Sequence, residues 1–362
     1  MNNRIPSLDG FRAVSIILVL FCHSRYFEGF PYYLFDFAKQ CDVGVTVFFV
    51  ISGYLITSLL IKEHDSRKNI AIKSFFIRRS FRIIPVFLIY IVFIICVDHF
   101  LNLGLTKNNV IHSLTFTTNF DPAPNWYLGH LWSLAVEEQF YIFWPLLFLY
   151  FNKHMKVIVV LLIVYSSLIR ILVYRYDLSL FYLLNGFFTK SDSIMIGALA
   201  SLLNLKSLSI FMKKSLINYF LQLLAILLIV LFVFSSAHGK LGIIALPLGN
   251  TIISISIMYI ILSYVHPKEN YIYKALNSKF FTHIGILSYS IYIWQQFFIF
   301  KNVALLNKFP FNILTIYIVA YISYNFFEKP FLKIKERIIV KYKKVPLMTS
   351  SLANISIINK IE

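Results

Sequence analysis

The sequence predicts an all-α integral membrane protein, a bundle of about ten transmembrane helices with its N- and C-termini in the cytoplasm. Three observations lead to this prediction: the composition, the length of the apolar runs and the placement of the basic residues. Hydrophobic residues make up 59% of the 362 residues and charged residues only 14%. Because about a quarter of the residues in a soluble domain are charged, this composition excludes a soluble globular protein.

The apolar residues fall in runs close to the length of about 20 residues that a helix needs to cross a bilayer. A helix satisfies its own backbone hydrogen bonds in lipid, and the sequence lacks the alternating pattern of a membrane barrel. The first run contains two ionisable residues and no small-residue cleavage site, so we interpret it as a retained helix. The predicted spans cover about 11–29, 43–62, 83–101, 131–151, 155–174, 180–204, 216–235, 241–264, 281–300 and 312–331.

Basic residues concentrate on every second connection between these spans and on the tail after the tenth. The positive-inside rule places such connections in the cytoplasm, which supports an even number of spans. On the connections, these residues include Lys62, Arg67, Lys68, Lys73, Lys153, Lys156, Lys206, Lys213, Lys214, Lys268, Lys274 and Lys279. This distribution attributes the net charge of +18 to membrane insertion and anionic lipid, and it argues against nucleic acid as a partner.

The first predicted span contains two polar residues, Arg12 and His23, eleven positions apart. Eleven residues turn a helix by about 1100°, so the two side chains share one face and lie about 16 Å apart along its axis. An ionisable residue inside a membrane helix indicates function by default. Snorkelling of Arg12 to the headgroups and a carbonyl partner for His23 would also explain each residue alone.

Two adjacent glutamates, Glu137 and Glu138, interrupt the fourth apolar run. By helix rise they lie about 10 Å below the outer surface, at the depth expected for His23. A carboxylate beside a histidine can orient the ring and stabilise its protonated form, which suits a general base. Because adjacent helical positions diverge by about 100°, we expect one glutamate to face His23 and the other to pair with a cation such as Lys190 or Arg12. A purely structural ion pair is the alternative.

Three arginines, Arg78, Arg79 and Arg82, precede the third span. Arg78 and Arg82 are four positions apart and share a face if the segment is helical, so they could bind a phosphate together. The positive-inside rule also explains basic residues here, but the choice of arginine over lysine favours anion binding. The glycine of Ser52–Tyr54 predicts close helix packing. The cysteines have no metal-ligand spacing, and we predict no metal site.

Taken together, these segments resemble the acyltransferase-3 family, membrane O-acyltransferases that modify bacterial surface polysaccharides. The resemblance covers nearly the whole chain. It rests on six segments in the family's order: Leu8–Arg12 with His23, Gly44–Ile56, Phe76–Pro85, Trp132–Tyr141, Ser288–Trp294 and Phe327–Phe331. The chain departs from the family pattern at Thr46, Lys190 and Gln295, where aspartate, arginine and histidine are common. We therefore assign no proton transfer to Thr46 or Gln295.

The resemblance implies acetyl-CoA as the acyl donor, entering from the cytoplasm. Arg78, Arg79 and Arg82 are then expected to hold the nucleotide phosphates, and Arg12 to guide the pantetheine arm or an inner phosphate. The implied acceptor is a sugar hydroxyl of a lipid-linked or nascent glycan, such as O-antigen, capsule or exopolysaccharide.

In this scheme His23 is the general base on the acceptor hydroxyl or on a transient acyl-accepting group, and Glu137 or Glu138 orients it.

The expected domains are a transmembrane acyltransferase domain at 1–335 and a basic cytoplasmic tail at 336–362, in the bacterial cytoplasmic membrane. Some family members carry a further extracytoplasmic hydrolase-like domain. Because this sequence continues for only about 30 residues after its tenth predicted span, we expect transfer to be completed within the membrane domain or by a separate protein. Two other classes fit the residues: a proton-coupled transporter or flippase of a glycan precursor, and a relay that passes acetyl groups to a partner enzyme. Polysaccharide-assembly proteins are further expected partners.

Overall fold

The computed structural model describes residues 5–27, 29–176, 186–203, 215–237, 241–299 and 308–344, which are folded mainly into α-helices. This confirms the predicted all-α class. Within the described ranges, six helical stretches are long and apolar enough to cross a membrane. They are Ser7–Ser24, Tyr32–Arg67, Ile72–Leu101, Trp126–Arg175, Leu216–Ser235 and Gly242–Val265.

The first half of the chain forms eight of the described helices. They are α1 (Pro6–Ser24), α2 (Phe35–Lys39), α3 (Val43–Arg67), α4 (Ile72–Leu101), α5 (Lys107–Leu114), α6 (Trp126–Gly129), α7 (Leu131–Phe151) and α8 (Met155–Arg175). The second half continues with α9 (Phe187–Leu202), α10 (Ser215–Ala237), α11 (Gly242–Val265), α12 (Tyr271–Leu276), α13 (Lys279–Gln295), α14 (Phe311–Ser323) and α15 (Lys329–Lys344). A π-helical turn, Tyr324–Glu328, joins α14 to α15.

The number of membrane crossings stays a prediction. The long stretch Trp126–Arg175 contains two 21-residue helices, α7 and α8, so it can provide two crossings. Helices α9, α13 and α14 have 16, 17 and 13 residues, and each is shorter than the roughly 20 residues of a typical span. Several predicted features lie outside the described residues: 180–185 of the sixth predicted span, Lys206, Lys213, Lys214 and residues 345–362 of the predicted tail 336–362.

The first helix lies about five residues nearer the N-terminus than its predicted span. It begins at Pro6. Proline suits the first turn of a helix, because the backbone N–H that it lacks would have no hydrogen-bond partner within the helix. It ends at Ser24 instead of near residue 29. His23 therefore lies in the last turn of α1, at the end of the helix, and not about 10 Å inside the bundle.

Glycines bring the central helices into close contact. A Cβ atom on Gly53 of α3 would collide with the carbonyl oxygen of Ile194 in α9, and one on Gly197 would collide with that of Val50. Gly285 of α13 packs in the same way on the backbone of α1. The prediction that Gly53 serves close helix packing is thus confirmed, and α1, α3, α9 and α13 pack closely along the bundle.

The connection from residue 102 to residue 130 is folded over the end of the bundle where α1 ends. It contains α5 and α6, and α5 begins with a reciprocal capping box between Thr106 and Asn109. The Asn109 amide also donates to the carboxylate of Asp121 at 2.8 Å. These bonds hold the connection in place, and its second half supplies one wall of a cavity described below.

Candidate active site

A cavity that is open to solvent on one side lies between α1, α3, α4, α7 and α13. Its polar lining residues are Arg12, Ser52, Arg79, Arg82, Ser133, Glu137, Tyr141, Ser288, Tyr289 and Tyr292. We call it the arginine cavity. It brings together predicted site residues from three separate helices, including three of the four arginines and one of the two glutamates.

Glu137 is held on two sides. The Ser52 hydroxyl donates to one carboxylate oxygen at 2.7 Å, and the Tyr141 hydroxyl lies 3.4 Å from the other. The Arg79 guanidinium stacks 5.0 Å from the centre of the Tyr141 ring. Glu138 lies close to Glu137 and Arg79, so both carboxylates belong to the environment of the arginines.

Arg12 and Arg82 have carboxylate neighbours of their own. The Arg12 guanidinium lies 3.3 Å from the Asp9 carboxylate, one turn earlier in α1. Glu328, buried in the π-helical turn, accepts a hydrogen bond from Ser290 at 3.0 Å and lies close to Arg82. Sequence reasoning quoted Phe327–Phe331 as a motif but gave Glu328 no role. A carboxylate at a helix end followed by lysine and proline gave no indication that it reaches the arginines.

Arg78 is placed differently from the other arginines. Its guanidinium forms an ion pair with Glu63 of α3 at 3.2 Å and donates to Ser74 at 2.7 Å. It is not among the residues that line the arginine cavity. The segment is helical, so Arg78 and Arg82 share a face as expected, but the lining of the arginine cavity contains Arg82 with Arg79, which are three positions apart and also neighbours on a helix.

A lysine that the sequence did not single out lies near the arginines. Lys335, on α15, is half-buried close to Arg82, Arg79 and Arg78. The helix is held there by α4, where the Phe331 ring packs 6.4 Å from the ring of Phe81. Because residues four apart lie on one helix face, the turn that seats Phe331 also directs Lys335 toward α4.

His23 lines a second cavity, at the end of the bundle covered by the 102–130 connection. We call it the histidine cavity. Its lining residues are His23, Arg25, Tyr26, Thr118, Asn119, Asp121, Pro124, Asn125, Trp126, Gly129, His130, Trp132 and Gln296. His130, which sequence reasoning missed, lies close to His23, and the buried side chain of Gln295 is also beside it.

The structure does not bring His23 to the glutamates, which corrects the expected pairing. Glu137 bonds to Ser52 and Tyr141, and among the described residues no hydrogen bond or ion pair joins His23 to Glu137 or Glu138. The reason is the early end of α1. His23 is level with His130 just before α7, whereas seven residues of helix place Glu137 about 10 Å further along the axis.

A short hydrogen-bonded chain connects the two cavities. The Ser133 and Tyr292 hydroxyls, which line the arginine cavity, lie 2.6 Å apart. The Tyr292 hydroxyl also donates to the backbone carbonyl of His130, which lines the histidine cavity. The wall between the cavities is therefore about one side chain thick at this point.

Of the two cations expected beside a glutamate, Arg12 lies close to Glu137, whereas Lys190 has another neighbour. Lys190 lies close to Asp42, and its neighbour Asp192 forms a buried ion pair with Arg170 of α8 at 2.9 Å. Thr251 donates to the same carboxylate at 2.7 Å. Sequence reasoning missed Arg170, although an arginine within the apolar run of α8 was a signal that could have identified it.

The residues gathered in the arginine cavity belong to the segments that carried the family resemblance. A family model described as an acyltransferase domain matches residues 5–326, which include every lining residue of both cavities. The chain belongs to the acyltransferase-3 family.

Curated relatives of this acyltransferase-3 chain carry related names. The chain is 30% identical to a Staphylococcus aureus (strain COL) protein provisionally named as an O-acetyltransferase, over 91% of this chain and 57% of that protein. It is 28% identical to the peptidoglycan O-acetyltransferase OatA of Listeria monocytogenes, over 91% of this chain and 56% of OatA. The chain thus spans a little over half the length of these relatives. No solved structure matches it.

Proposed function

We propose that the chain is a membrane O-acyltransferase that transfers an acetyl group from acetyl-CoA to a hydroxyl of a cell-envelope glycan. The observation that carries this proposal is the convergence of Arg12, Arg79 and Arg82 on one cavity beside Glu137, in a chain of the acyltransferase-3 family. Guanidinium groups bind phosphate with directed hydrogen bonds, and acetyl-CoA is rich in phosphate.

The proposed topology has ten crossings, with both termini in the cytoplasm of a bacterial cell and the bundle in its cytoplasmic membrane. The alternating basic connections support it, and so does α15, whose sequence contains six lysines and arginines beyond Lys329. In this orientation the arginine cavity faces the cytoplasmic side and the histidine cavity the external side. A cytoplasmic donor and an external acceptor would then approach the bundle from opposite ends.

The donor's phosphates are assigned to the arginine cavity. Arg79 and Arg82 lie on one face of α4, and Arg12 lies across the cavity on α1. Arg78 and Lys335 lie outside the lining, near its α4 wall, where they add positive charge. Glu137 and Glu138 offset part of the positive charge of Arg79, because each carboxylate lies close to it.

His23 is proposed as the general base for the acceptor hydroxyl. It accepts the hydroxyl proton as the sugar oxygen attacks the thioester carbonyl; the new C–O bond forms, the C–S bond breaks, and the proton passes to the departing CoA thiolate. Gln295, instead of a glutamate, lies where it can orient the imidazole. The thin wall at Tyr292 and His130 is where the two substrates approach most closely.

The names of two relatives support the proposed class of acceptor. OatA is named for peptidoglycan, and a Bacillus subtilis relative, 28% identical over 90% of this chain and 54% of its own length, is provisionally named for the same polymer. Peptidoglycan or another envelope glycan is therefore the proposed acceptor, and proteins that assemble that glycan are proposed partners.

The proposal can be tested with purified protein in proteoliposomes, supplied with radiolabelled acetyl-CoA and peptidoglycan fragments. We expect acetyl esters on the glycan with the native protein and none with His23→Ala at an equal protein level. His99→Ala, a change at an exposed histidine of α4, is the matched control and should leave transfer unchanged. Retained transfer in His23→Ala would refute the assignment of the base. Acetyl release across the bilayer without glycan modification would indicate the relay, and glycan uptake without acetylation a transporter.

A further inference from the structure

Buried polar atoms of the histidine cavity lack hydrogen-bond partners. Among the described residues, His23 Nδ1, His130 Nδ1 and Gln296 Oε1 are shielded from solvent and make no hydrogen bond. The solvent-exposed fraction of the surface is 5% for His130 and 4% for Gln296. Buried polar groups in folded proteins are almost always paired, so a cluster of unpaired ones around a cavity indicates a polar ligand.

The two charged residues of the lining, Arg25 and Asp121, both have partners already, which favours a ligand without strong charge. Asp121, the lining carboxylate, already accepts from the Asn109 amide and the Ala123 backbone N–H at 2.8 and 3.0 Å. Asn119 exchanges hydrogen bonds with Gln139, the shorter one at 2.9 Å. These residues fix the shape of the wall, and they leave imidazole and amide groups, which are suited to hydroxyls, to meet the ligand.

Aromatic rings form the outer part of the same cavity. Trp126 and Tyr26 pack edge to face with their ring centres 4.9 Å apart, and Trp132 lines the cavity nearby. The Arg25 guanidinium lies 4.6 Å above the Tyr26 ring and also donates a 2.8 Å hydrogen bond to the Tyr26 hydroxyl. These two contacts hold the ring in one orientation. Rigid rings beside a few polar groups are typical of a site that binds a ligand with both apolar faces and polar edges.

We propose that the histidine cavity binds a saccharide unit of the acceptor, with His130 and Gln296 hydrogen-bonded to its hydroxyls and Trp126 against its ring face. A pyranose has this combination of an apolar C–H face and a rim of hydroxyls. Calling the saccharide the acceptor rests on the proposed function; its binding here does not. The site places one sugar hydroxyl beside His23, and the next sugar units would extend past Tyr26 and Trp126.

Direct binding tests the site without any acetyl transfer. The full-length protein in detergent, without acetyl-CoA, is titrated in a calorimeter with a soluble disaccharide repeat of peptidoglycan. We expect Trp126→Ala and Gln296→Leu each to weaken binding about tenfold, the loss expected for one ring contact or one hydrogen bond. Tyr33→Ala removes an aromatic ring that is 81% exposed and outside the cavity, and it should leave binding unchanged. Thermal unfolding of each variant identifies any that is misfolded, and Gln296→Leu keeps the size of the side chain.

The outcomes separate the saccharide site from the proposed reaction. Binding by the native protein that both cavity variants weaken supports the site, whether or not acetyl transfer is detected. If the native protein binds no saccharide, or if folded variants bind as tightly as it does, the site is wrong. Acetyl transfer measured in parallel with the same variants then shows whether the proposed function survives that failure.

Discussion

The Ser52 hydroxyl donates a 2.7 Å hydrogen bond to the carboxylate of Glu137, and this bond joins α3 to α7 inside the arginine cavity. The Tyr141 hydroxyl, 3.1 Å from the Ser52 oxygen, completes a small network. The carboxylate therefore stays in one position beside Arg79, although it is enclosed by apolar helices.

Removing the Ser52 hydroxyl should impair acetyl transfer more than stability. A hydrogen bond to a charged group is worth about 1.5–3 kcal/mol, which corresponds to roughly a tenfold or greater loss of rate for Ser52→Ala. The control is Ser58→Ala, which removes a hydroxyl from the same helix outside the cavity. The Ser58 hydroxyl lies 2.9 Å from that of Ser201. Initial rates for the two variants check this, and equal rates would show that the Glu137 network has no part in catalysis.

Two adjacent arginines should differ in their effect on the donor. Arg79 lines the arginine cavity, whereas Arg78 is bound to Glu63. Arg79→Gln should raise the half-saturating concentration of acetyl-CoA by about tenfold or more, through the loss of a charge-assisted hydrogen bond. Arg78→Gln should raise it less.

The measurement for both arginine variants is the dependence of the initial rate on donor concentration at saturating glycan. A larger effect from Arg78 than from Arg79 would place the phosphates outside the cavity, at the Glu63 side of α4.

Because of Lys335, the affinity for the donor should fall at alkaline pH. Partial burial, together with the charges of Arg82 and its neighbours, lowers the pKa of the Lys335 ammonium below its ordinary value of 10.5. The group is charged below its pKa in the protein and neutral above it, so donor affinity should fall as pH rises through that lowered pKa.

Lys335→Met should abolish this alkaline decline and weaken donor binding at neutral pH. Lys333→Met, on the exposed side of the same helix, is the control and should keep the native pH profile. The profile is obtained from donor titrations at several pH values. Persistence of the decline in Lys335→Met would assign it to another group.

The ion pair of Arg170 and Asp192 should matter for stability. Both side chains are buried, so removing one partner leaves an unpaired charge, which typically costs about 3–5 kcal/mol. Asp192→Asn should therefore lower the unfolding temperature of the detergent-solubilised protein strongly. Arg175→Met, at an exposed position on α8, the helix of Arg170, should not. The double change Arg170→Met with Asp192→Leu should recover much of the loss, because no charge is then buried alone.

The sequence was sufficient to predict the all-α class, the family and Arg12 as a possible neighbour of a glutamate, but it did not predict that Arg79 and Arg82 lie near Glu137. Composition decides the first, and ionisable residues such as Arg12 and Glu137 stand out in apolar runs. The predicted meeting of His23 with a glutamate failed because it depended on where α1 ends. Helix ends are the least certain part of a sequence prediction, and five residues shift a side chain by about 7 Å along the axis.

Other features depend on contacts between distant segments. His130 and Gln296 are ordinary polar residues at helix ends, and they come near His23 only because the 102–130 connection and α13 pack beside the end of α1. Lys335 belongs to a basic stretch that the positive-inside rule explains, so its place near Arg82 becomes visible only when α15 packs on α4. No spacing within one helix could have indicated these neighbours.

The contacts at Gly53, Gly197 and Gly285 restrict how the protein can move. Helices whose backbones touch cannot slide or rock past each other without first separating. These contacts join α3 to α9 and α1 to α13, and Gly44 of α3 lies against the backbone of Ser15 in α1, so the four helices should behave as one stiff block. A carrier that exposes one site alternately to each side of the membrane would have to break such contacts in every cycle. We therefore expect the helices between the two cavities to stay in place during transfer. The substrates move to the wall at Tyr292 and His130, and the acetyl group crosses there.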